Sequence, residues 1–494
     1  MTLPPIQAVV LAAGSSSRFH TLRTKLCTPL CGKALINYPV SLLASLNIPT
    51  LCVIGYQKEA VRTAILEAGF TETSFVEQNE RLGTGHALWC SHHWWHAKTI
   101  LVLNGDVPFI TTDIVEELLQ QFKKTDAAAS LVVARNTERS AQHLGRFEVQ
   151  NGHASIIEAK HDPKSRTSES LLNAGIYLFK RSFLETAIQQ LSPNEVTGEL
   201  YLTDLISKAS LSKNGVSWIE TPFDIIRGIN TLAELAEAEQ IERKRLIQQL
   251  MNQGVRFINP ETTIVEYQVT SDPDTTVESG VHLLGKTHLG SETIVGANSI
   301  LDHATLGKHV TVKPNSIIRN TVVEELAQIG PFANVTESII GAKAIIGNFV
   351  EVKRSTIGVS SKAKHLSYLG DTTIGTTVNI GAGTMICNYN GVAKYPTFIG
   401  DNASIGCLNA LVAPLTIGAG AITGAGSVIT EAVPADALAI ARATQVTKAQ
   451  YAPLLRERLK LRAAQESKRG GREKDDPVCS HRRQPLRHGK LREN

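Results

Sequence analysis

From about residue 262 an Ile, Leu or Val followed by Gly recurs at intervals of about six residues. The run begins Leu289-Gly290, Val295-Gly296, Leu306-Gly307, Ile329-Gly330, Ile340-Gly341, Ile346-Gly347 and Ile357-Gly358. It continues through Leu369-Gly370, Ile374-Gly375, Ile380-Gly381, Ile399-Gly400, Ile405-Gly406 and Ile417-Gly418. A hexapeptide period is the signature of a parallel β-helix. Each aliphatic side chain is expected to point into the coil, each glycine to ease a corner, and three hexapeptides to close one triangular turn. Two stretches interrupt the period, Lys362–Tyr368 and Cys387–Thr397. Loops that break a solenoid on one face often carry its binding function.

The front of the chain reads differently. Short apolar runs at Ala8–Leu11, Leu51–Ile54, Ile100–Leu103 and Ala129–Val133 alternate with helical patterns such as Asp113–Lys123. Runs apolar on both faces suit a sheet covered on two sides, and βα alternation predicts a mostly parallel α/β sheet. Residues 231–253 predict one helix, opened by a Thr231/Glu234 capping box and stopped by Gly254. The expected organisation is an α/β domain over 1–230, a helical linker over 231–253, a hexapeptide-repeat domain over 254–450, and a helix with a basic tail over 451–494.

The net charge of +4 belongs to the tail. Residues 466–494 hold nine of the 50 Lys and Arg and five of the 46 Asp and Glu, which leaves 41 of each elsewhere. The tail lacks interleaved aromatics and amphipathic spacing, so neither a nucleic-acid nor a membrane partner is expected. Seven scattered cysteines with no Cys-x-x-Cys pair predict free thiols in a reducing compartment. The apolar run Ile6–Ala13 is too short for a signal peptide or a membrane span. A cytoplasmic protein is expected.

Leu11-Ala12-Ala13-Gly14-Ser15-Ser16-Ser17-Arg18 follows the first strand. Such a small-residue loop either brings backbone N–H groups up to phosphates, with Arg18 and Lys25 adding charge, or is an ordinary strand-to-helix turn. Gln78 and the turn Leu82-Gly83-Thr84-Gly85-His86 suit hydrogen bonding to a base. Asn104-Gly105-Asp106 sets a carboxylate at a strand end, where open α/β sheets bind ligands; the Asp either only forms the turn or holds Mg²⁺. His92-His93-Trp94-Trp95-His96 has no carboxylate or Cys at ligand spacing and reads as packing; Cys27 and Cys31 read as buried thiols.

In the rear half, His365 stands in Lys364-His365-Leu366-Ser367-Tyr368, with Asn379, Asn388, Tyr389 and Lys394 in nearby coils or the second interruption. An amine attacking a thioester must shed a proton, and His is suited to take it near neutral pH.

Taken together, the front motifs resemble the sugar-nucleotide pyrophosphorylases, a nucleotidyltransferase family. With the repeats behind them, the match over about residues 5–450 narrows to the bifunctional N-acetylglucosamine-1-phosphate uridyltransferase/glucosamine-1-phosphate acetyltransferases. The resemblance implies a Rossmann-like nucleotidyltransferase domain followed by a left-handed parallel β-helix. It implies acetyl transfer from acetyl-CoA to glucosamine-1-phosphate, then uridylyl transfer from UTP to N-acetylglucosamine-1-phosphate with Mg²⁺, feeding peptidoglycan and lipopolysaccharide synthesis. Its homotrimers form the acyl-donor groove between neighbouring subunits.

Residue by residue, the resemblance implies that Leu11, Ala12, Ala13 and Gly14 line the nucleotide while Arg18 and Lys25 meet phosphate. Gln78, Gly83 and Thr84 match uridine-reading positions, and Asn104 and Gly105 lead into the metal-binding Asp106, whose partner is Asn230. Gly145, Glu158 and Asn173 match sugar-binding positions, and Glu199–Asp204 resembles a further family stretch. His365 becomes the general base; Lys353, Tyr368, Asn379 and Lys394 match sugar-phosphate contacts. Ala382, Asn388, Tyr389, Cys407, Ala425 and Arg442 match positions around acetyl-CoA.

Three positions depart from the pattern. Ser16 replaces a second Gly and Cys407 a usual Ser. No Arg follows Gly330-Pro331-Phe332 until Arg354, although Lys343 and Arg354 are candidate substitutes. Loss of a charged phosphate contact weakens binding by ~1.5–3 kcal/mol. Two other readings stay open: a uridyltransferase whose β-helix is a trimerising scaffold, and a pyrophosphorylase for another sugar or nucleotide with a different acyl acceptor.

Overall fold

The computed structural model describes residues 6–135, 144–158 and 170–472. It forms two compact units, Met1–Ile440 and Ala441–Asn494. Among the described residues no helix is long and apolar enough to cross a membrane.

The front of the first unit is a nine-stranded sheet: β1 (Ile6–Ala12), β2 (Thr50–Ile54), β3 (Ser74–Glu77), β4 (Thr99–Asn104), β5 (Ala129–Arg135), β6 (Arg146–Gln150), β7 (His153–Ile157), β8 (Leu171–Lys180) and β9 (Val216–Thr221). Its order is β9-β5-β8-β4-β1-β2-β3, with the β6–β7 hairpin attached to β8. All four predicted strands are present. The sheet is mixed because β8 runs antiparallel to both β4 and β5; the other pairs along that order are parallel. The central strands are apolar throughout because helices cover both faces. Val40, Ile65 and Leu118 pack against Val10 and Leu103 on one side, while Leu88, Leu184 and Leu205 pack against Val9 and Val102 on the other.

The linking helix runs Leu232–Asn252, and both halves of its Thr231/Glu234 capping box are formed. Behind it, short parallel strands stack into the three faces of a β-helix. On one face Val335, Val352 and Leu369 lie in register, all buried and 17 residues apart. The first coils repeat at 18, as in Val265↔Leu283, so later coils shorten one side of the triangle by a residue.

The corners are built otherwise than the repeat suggests. Residues with left-handed backbone turn each corner, stacking as columns such as Phe332, Phe349 and Leu366; Asn320, Glu337, Arg354 and Asp371; and Leu326, Lys343 and Ser360. The recurrent glycines mostly have ordinary φ. They are needed because the next coil lies against them: a Cβ on Gly347 would stand 2.0 Å from the Lys364 carbonyl oxygen, and one on Gly358 2.2 Å from that of Gly375.

Lys362–Tyr368 does not interrupt the coil. Ala363 takes the inward position, in register with Ile346 and Ile380, and the smaller side chain conceals the repeat. Cys387–Thr397 does interrupt it. Thr372 pairs with Thr397, 25 residues on, whereas Thr356 pairs with Thr373 at 17, so eight extra residues leave the triangle. In the second unit one helix spans Tyr451–Arg472, within the stretch 451–494 expected to hold a helix and a tail. The tail beyond 472 and the start of the chain, 1–5, lie outside the described residues, as does most of the segment after Glu158.

Candidate functional sites

The carboxyl edge of the front sheet gathers the first group. Leu11 near the end of β1 pairs with Asn104 at the end of β4, and the Gly105 N–H donates to the Leu11 carbonyl at 3.0 Å. Ala12 and Ala13 follow, buried, and a Cβ on Gly14 would meet nothing within 4 Å. That glycine is therefore not demanded by packing, and it borders open space. Ser16 adopts φ 56°, the left-handed region a glycine would enter freely. Its hydroxyl accepts the Lys25 backbone N–H at 3.1 Å, so the departure from Gly comes with a bond that fastens the loop to Lys25.

The Lys25 ammonium lies 2.5 Å from Asp106 Oδ2 and 2.8 Å from Asn230 Oδ1. Arg18 Nη2 donates to the same Asn230 oxygen at 2.9 Å. Asn230 is held by backbone: its N–H donates to Glu234 at 2.7 Å, and the neighbouring Ile229 N–H donates to the Asp106 carbonyl at 3.0 Å. Thus Glu234 of the capping box also holds the Asn230 backbone. Two hard oxygens, one anionic, converge here on one cation, which is the donor chemistry Mg²⁺ prefers alongside phosphates. Among the described residues there is no cluster of three or more His, Cys, Asp or Glu that could hold a metal. His92 instead stacks on Trp89 at 4.0 Å, and the buried Trp95 donates to Ser91 at 2.9 Å, as the packing reading requires.

Gln78 is buried and donates to the Gly83 carbonyl at 3.1 Å. Gly83 has φ +104°, and a Cβ there would stand 2.5 Å from the Leu200 carbonyl oxygen, so the Glu199–Asp204 stretch braces this turn. The Thr84 hydroxyl accepts the Leu202 N–H at 3.0 Å, tightening the same junction. The Gly145 carbonyl accepts the Asn173 N–H at 2.8 Å, and Glu158 accepts the Thr203 hydroxyl at 2.8 Å, which ties those three positions to the same framework. The thiols of Cys27 and Cys31 are free; burial pushes Cys31 up to about 12, which suits an inert packed group.

On the β-helix, His365, Ala382, Cys407 and Ala425 each precede a left-handed or glycine corner residue and stack in successive coils. One repeating bond links them: Gly383 N–H to the His365 carbonyl (3.4 Å), Leu408 N–H to Ala382 (2.7 Å) and Gly426 N–H to Cys407 (2.8 Å). At the ~4.8 Å spacing of parallel strands, the three steps from His365 to Ala425 span about 14 Å along one edge. His365 is exposed on that edge.

Lys353 and Tyr368 share the adjoining face. Asn388, Tyr389 and Lys394 lie in the inserted loop, which Tyr389 and Lys394 close as an antiparallel bridge. Asn379 points outward from the third face, and Arg442 belongs to the second unit. The two candidate replacements for the absent arginine separate clearly. Lys343 turns the far corner, away from Lys353 and Tyr368, whereas Arg354 turns the corner at the end of their face and pairs with Asp371 through both Nε (2.7 Å) and Nη2 (2.9 Å). Asp371 was not evident from sequence. Its only signal is the 17-residue step from Arg354, visible once the corner columns are known.

The MobA-like NTP transferase domain family matches residues 8–195. The bifunctional protein GlmU of Fervidobacterium nodosum is 37% identical over 456 residues, covering 92% of this chain and 99% of its own. That of Koribacter versatilis is 37% identical over 93% of this chain and 98% of its own, and that of Geobacillus thermodenitrificans 37% over 92% and 99%. With both halves matched in one alignment, the chain belongs to the GlmU family of bifunctional enzymes, joining a uridyltransferase to an acetyltransferase.

Proposed function

We propose that the front site transfers uridylyl from UTP to N-acetylglucosamine-1-phosphate, and that the His365 edge of the β-helix acetylates glucosamine-1-phosphate from acetyl-CoA. The convergence of Lys25, Arg18, Asp106 and Asn230 carries the first assignment. Asp106 and Asn230 would hold Mg²⁺, which when bound offsets phosphate charge and aligns the reactants. Leu11–Gly14 borders the open space for the triphosphate, Lys25 and Arg18 counter its charge, and Gln78, Gly83 and Thr84 read the base. Gly145, Glu158 and Asn173 hold the sugar. A phosphate oxygen of the sugar-1-phosphate attacks the α-phosphorus, the bond to the β-phosphate breaks, and pyrophosphate leaves. No protein nucleophile is required.

The column from His365 to Ala425 supports the second assignment, because its length matches an extended thioester arm lying along the edge. His365 takes the proton as the amine nitrogen attacks the thioester carbonyl; the C–S bond breaks and CoA leaves as the thiol after reprotonation. Lys353, Tyr368, Asn379 and Lys394 hold the sugar phosphate, and Ala382, Asn388, Tyr389, Cys407 and Ala425 hold acetyl-CoA. The domain limits 1–230, 231–253, 254–450 and 451–494 fit these roles. Exposed Phe332, Phe349, Leu366 and Leu408 along one edge support burial in a homotrimer, and six free thiols among the described residues support a cytoplasmic setting.

The deciding experiment measures pyrophosphate release with N-acetylglucosamine-1-phosphate and UTP, CTP, GTP or ATP, beside CoA release with glucosamine-1-phosphate. UTP is expected to be preferred and both products to appear. Preference for another triphosphate would overturn the first assignment, and no CoA at saturating amine the second.

A further inference from the structure

The inserted loop Cys387–Thr397 carries three of the residues assigned above to acetyl transfer, and both of its ends are tied to one residue of the preceding coil. Near its start, buried Asn388 donates its side-chain amide to the Asp371 carboxylate and to the Tyr368 hydroxyl at 3.4 Å. At its end, the Thr397 N–H donates to the Asp371 carbonyl at 3.2 Å. Within the loop, the Tyr395 N–H donates to the Asn388 carbonyl at 2.8 Å. Asp371 is itself fixed twice: its backbone turns a corner at φ 50°, and Arg354, one coil earlier in the same corner column, grips both carboxylate oxygens.

A loop of eight extra residues on a rigid coil gains nothing from the hydrophobic interior, so its order must come from such anchors. The Arg354 guanidinium and then the Asn388 amide hold the Asp371 carboxyl below the usual carboxylate range, so the anchor is an anion at neutral pH. The same pairing answers what Arg354 does in place of a phosphate-gripping arginine: its fork is committed to Asp371.

We propose that Asp371, gripped by Arg354, is a positioning residue for acetyl transfer, fastening both ends of the loop that presents Asn388, Tyr389 and Lys394. This rests on the assignment of that loop to the acetyl-transfer site.

The test uses the full-length enzyme with Asp371→Ala, Asp371→Asn and Arg354→Met. Amide hydrogen exchange is followed in residues 388–396, with steady-state CoA release and uridylyl transfer as activities. Asp371→Ala is expected to speed loop exchange and to lower acetyl-transfer kcat/KM roughly 10-fold or more, the scale of a lost charged hydrogen bond. The loss should fall mainly on KM, with uridylyl transfer unchanged. Asp371→Asn keeps an acceptor for Asn388 and should recover part of the loss; Arg354→Met should resemble a partial Asp371→Ala. Wild-type loop exchange in Asp371→Ala, or fast exchange with unaltered acetyl-transfer kinetics, overturns the proposal alone. Lost transfer with wild-type exchange overturns it too, by making Asp371 a direct substrate contact. A wild-type enzyme that releases no CoA overturns the site assignment as well.

Discussion

Lys25 and Asp106, 81 residues apart, meet at 2.5 Å, and Asn230 closes the group at 2.8 Å from the same ammonium. Both partners of the lysine are the proposed Mg²⁺ ligands, so the ammonium stands where a cation is wanted. Asp106→Ala removes the anionic oxygen and leaves Lys25 with only the Asn230 amide. Uridylyl transfer is expected to fall on the order of 10²–10³-fold, the scale of lost electrostatic stabilisation, and to need more Mg²⁺ for half-maximal rate. CoA release should be untouched. A variant with an unshifted Mg²⁺ titration would refute the ligand assignment.

Two glycines of the front site make opposite predictions. Gly83→Ala places a Cβ 2.5 Å from one backbone atom of Leu200 and 2.8 Å from another, at φ +104°. It should lower the melting temperature as well as the activity, with a backbone cost of order 1–3 kcal/mol. Gly14→Ala meets nothing within 4 Å. It should melt like the wild type, yet raise the KM for UTP about tenfold, since its methyl occupies space meant for the nucleotide. Equal thermal loss in both variants would show that Gly14 serves the fold instead.

The legible parts of this protein are those whose physics is periodic or local. Inward aliphatic residues announced the β-helix, and a capping box announced the linking helix, because one residue in six, or two residues three apart, suffices to state them. The corners were misread: glycine was assigned the turn, but left-handed residues as varied as Phe349 and Arg354 make it, and the glycine is demanded by a neighbouring coil that sequence does not display. Ala363 hid one repeat by being small. The Arg354–Asp371–Asn388 anchor was invisible for a related reason: each step in it equals a coil length, and that length is 17 only because one side of the triangle lost a residue.

The His365–Ala425 column predicts a separable defect. Ala382 is one coil from His365, and its carbonyl holds the Leu408 N–H, so its backbone is needed and its side chain is small. Ala382→Leu adds three carbons along the proposed acyl-donor path. It should raise the KM for acetyl-CoA at least tenfold while leaving that for glucosamine-1-phosphate within about twofold, as expected of lost uniform binding of one substrate. Cys407→Ser, which only exchanges a weak donor for a stronger one, should change either value less than threefold or so. Equal rises in both KM values for Ala382→Leu would place the column elsewhere in the reaction.

Lys33 predicts a pH signature at the joint beneath the linking helix. Its ammonium donates to Ser41 at 2.5 Å and lies 4.6 Å over the Tyr38 ring, and burial, partly countered by Glu242, pushes it from 10.5 down to about 8. The folded chain therefore releases this proton between pH 8 and 10.5 while the unfolded chain still holds it, so this group's contribution to stability rises with pH across that window. Below pH 8 the charged lysine is a net cost. Cys31, raised from 9.0 to about 12, acts in the opposite sense, stabilising below pH 9 and losing that contribution as pH climbs toward 12. Only the difference between wild type and Lys33→Met isolates the lysine. Lys33→Met should be more stable at pH 7 by on the order of 1 kcal/mol, discounted for the part of the side chain that reaches water, and the advantage should shrink steadily up to pH 10. Denaturant melts of both proteins at pH 7, 8, 9 and 10 measure this directly. A difference that stays flat over the series would mean that Lys33 keeps an ordinary pKa in the folded chain.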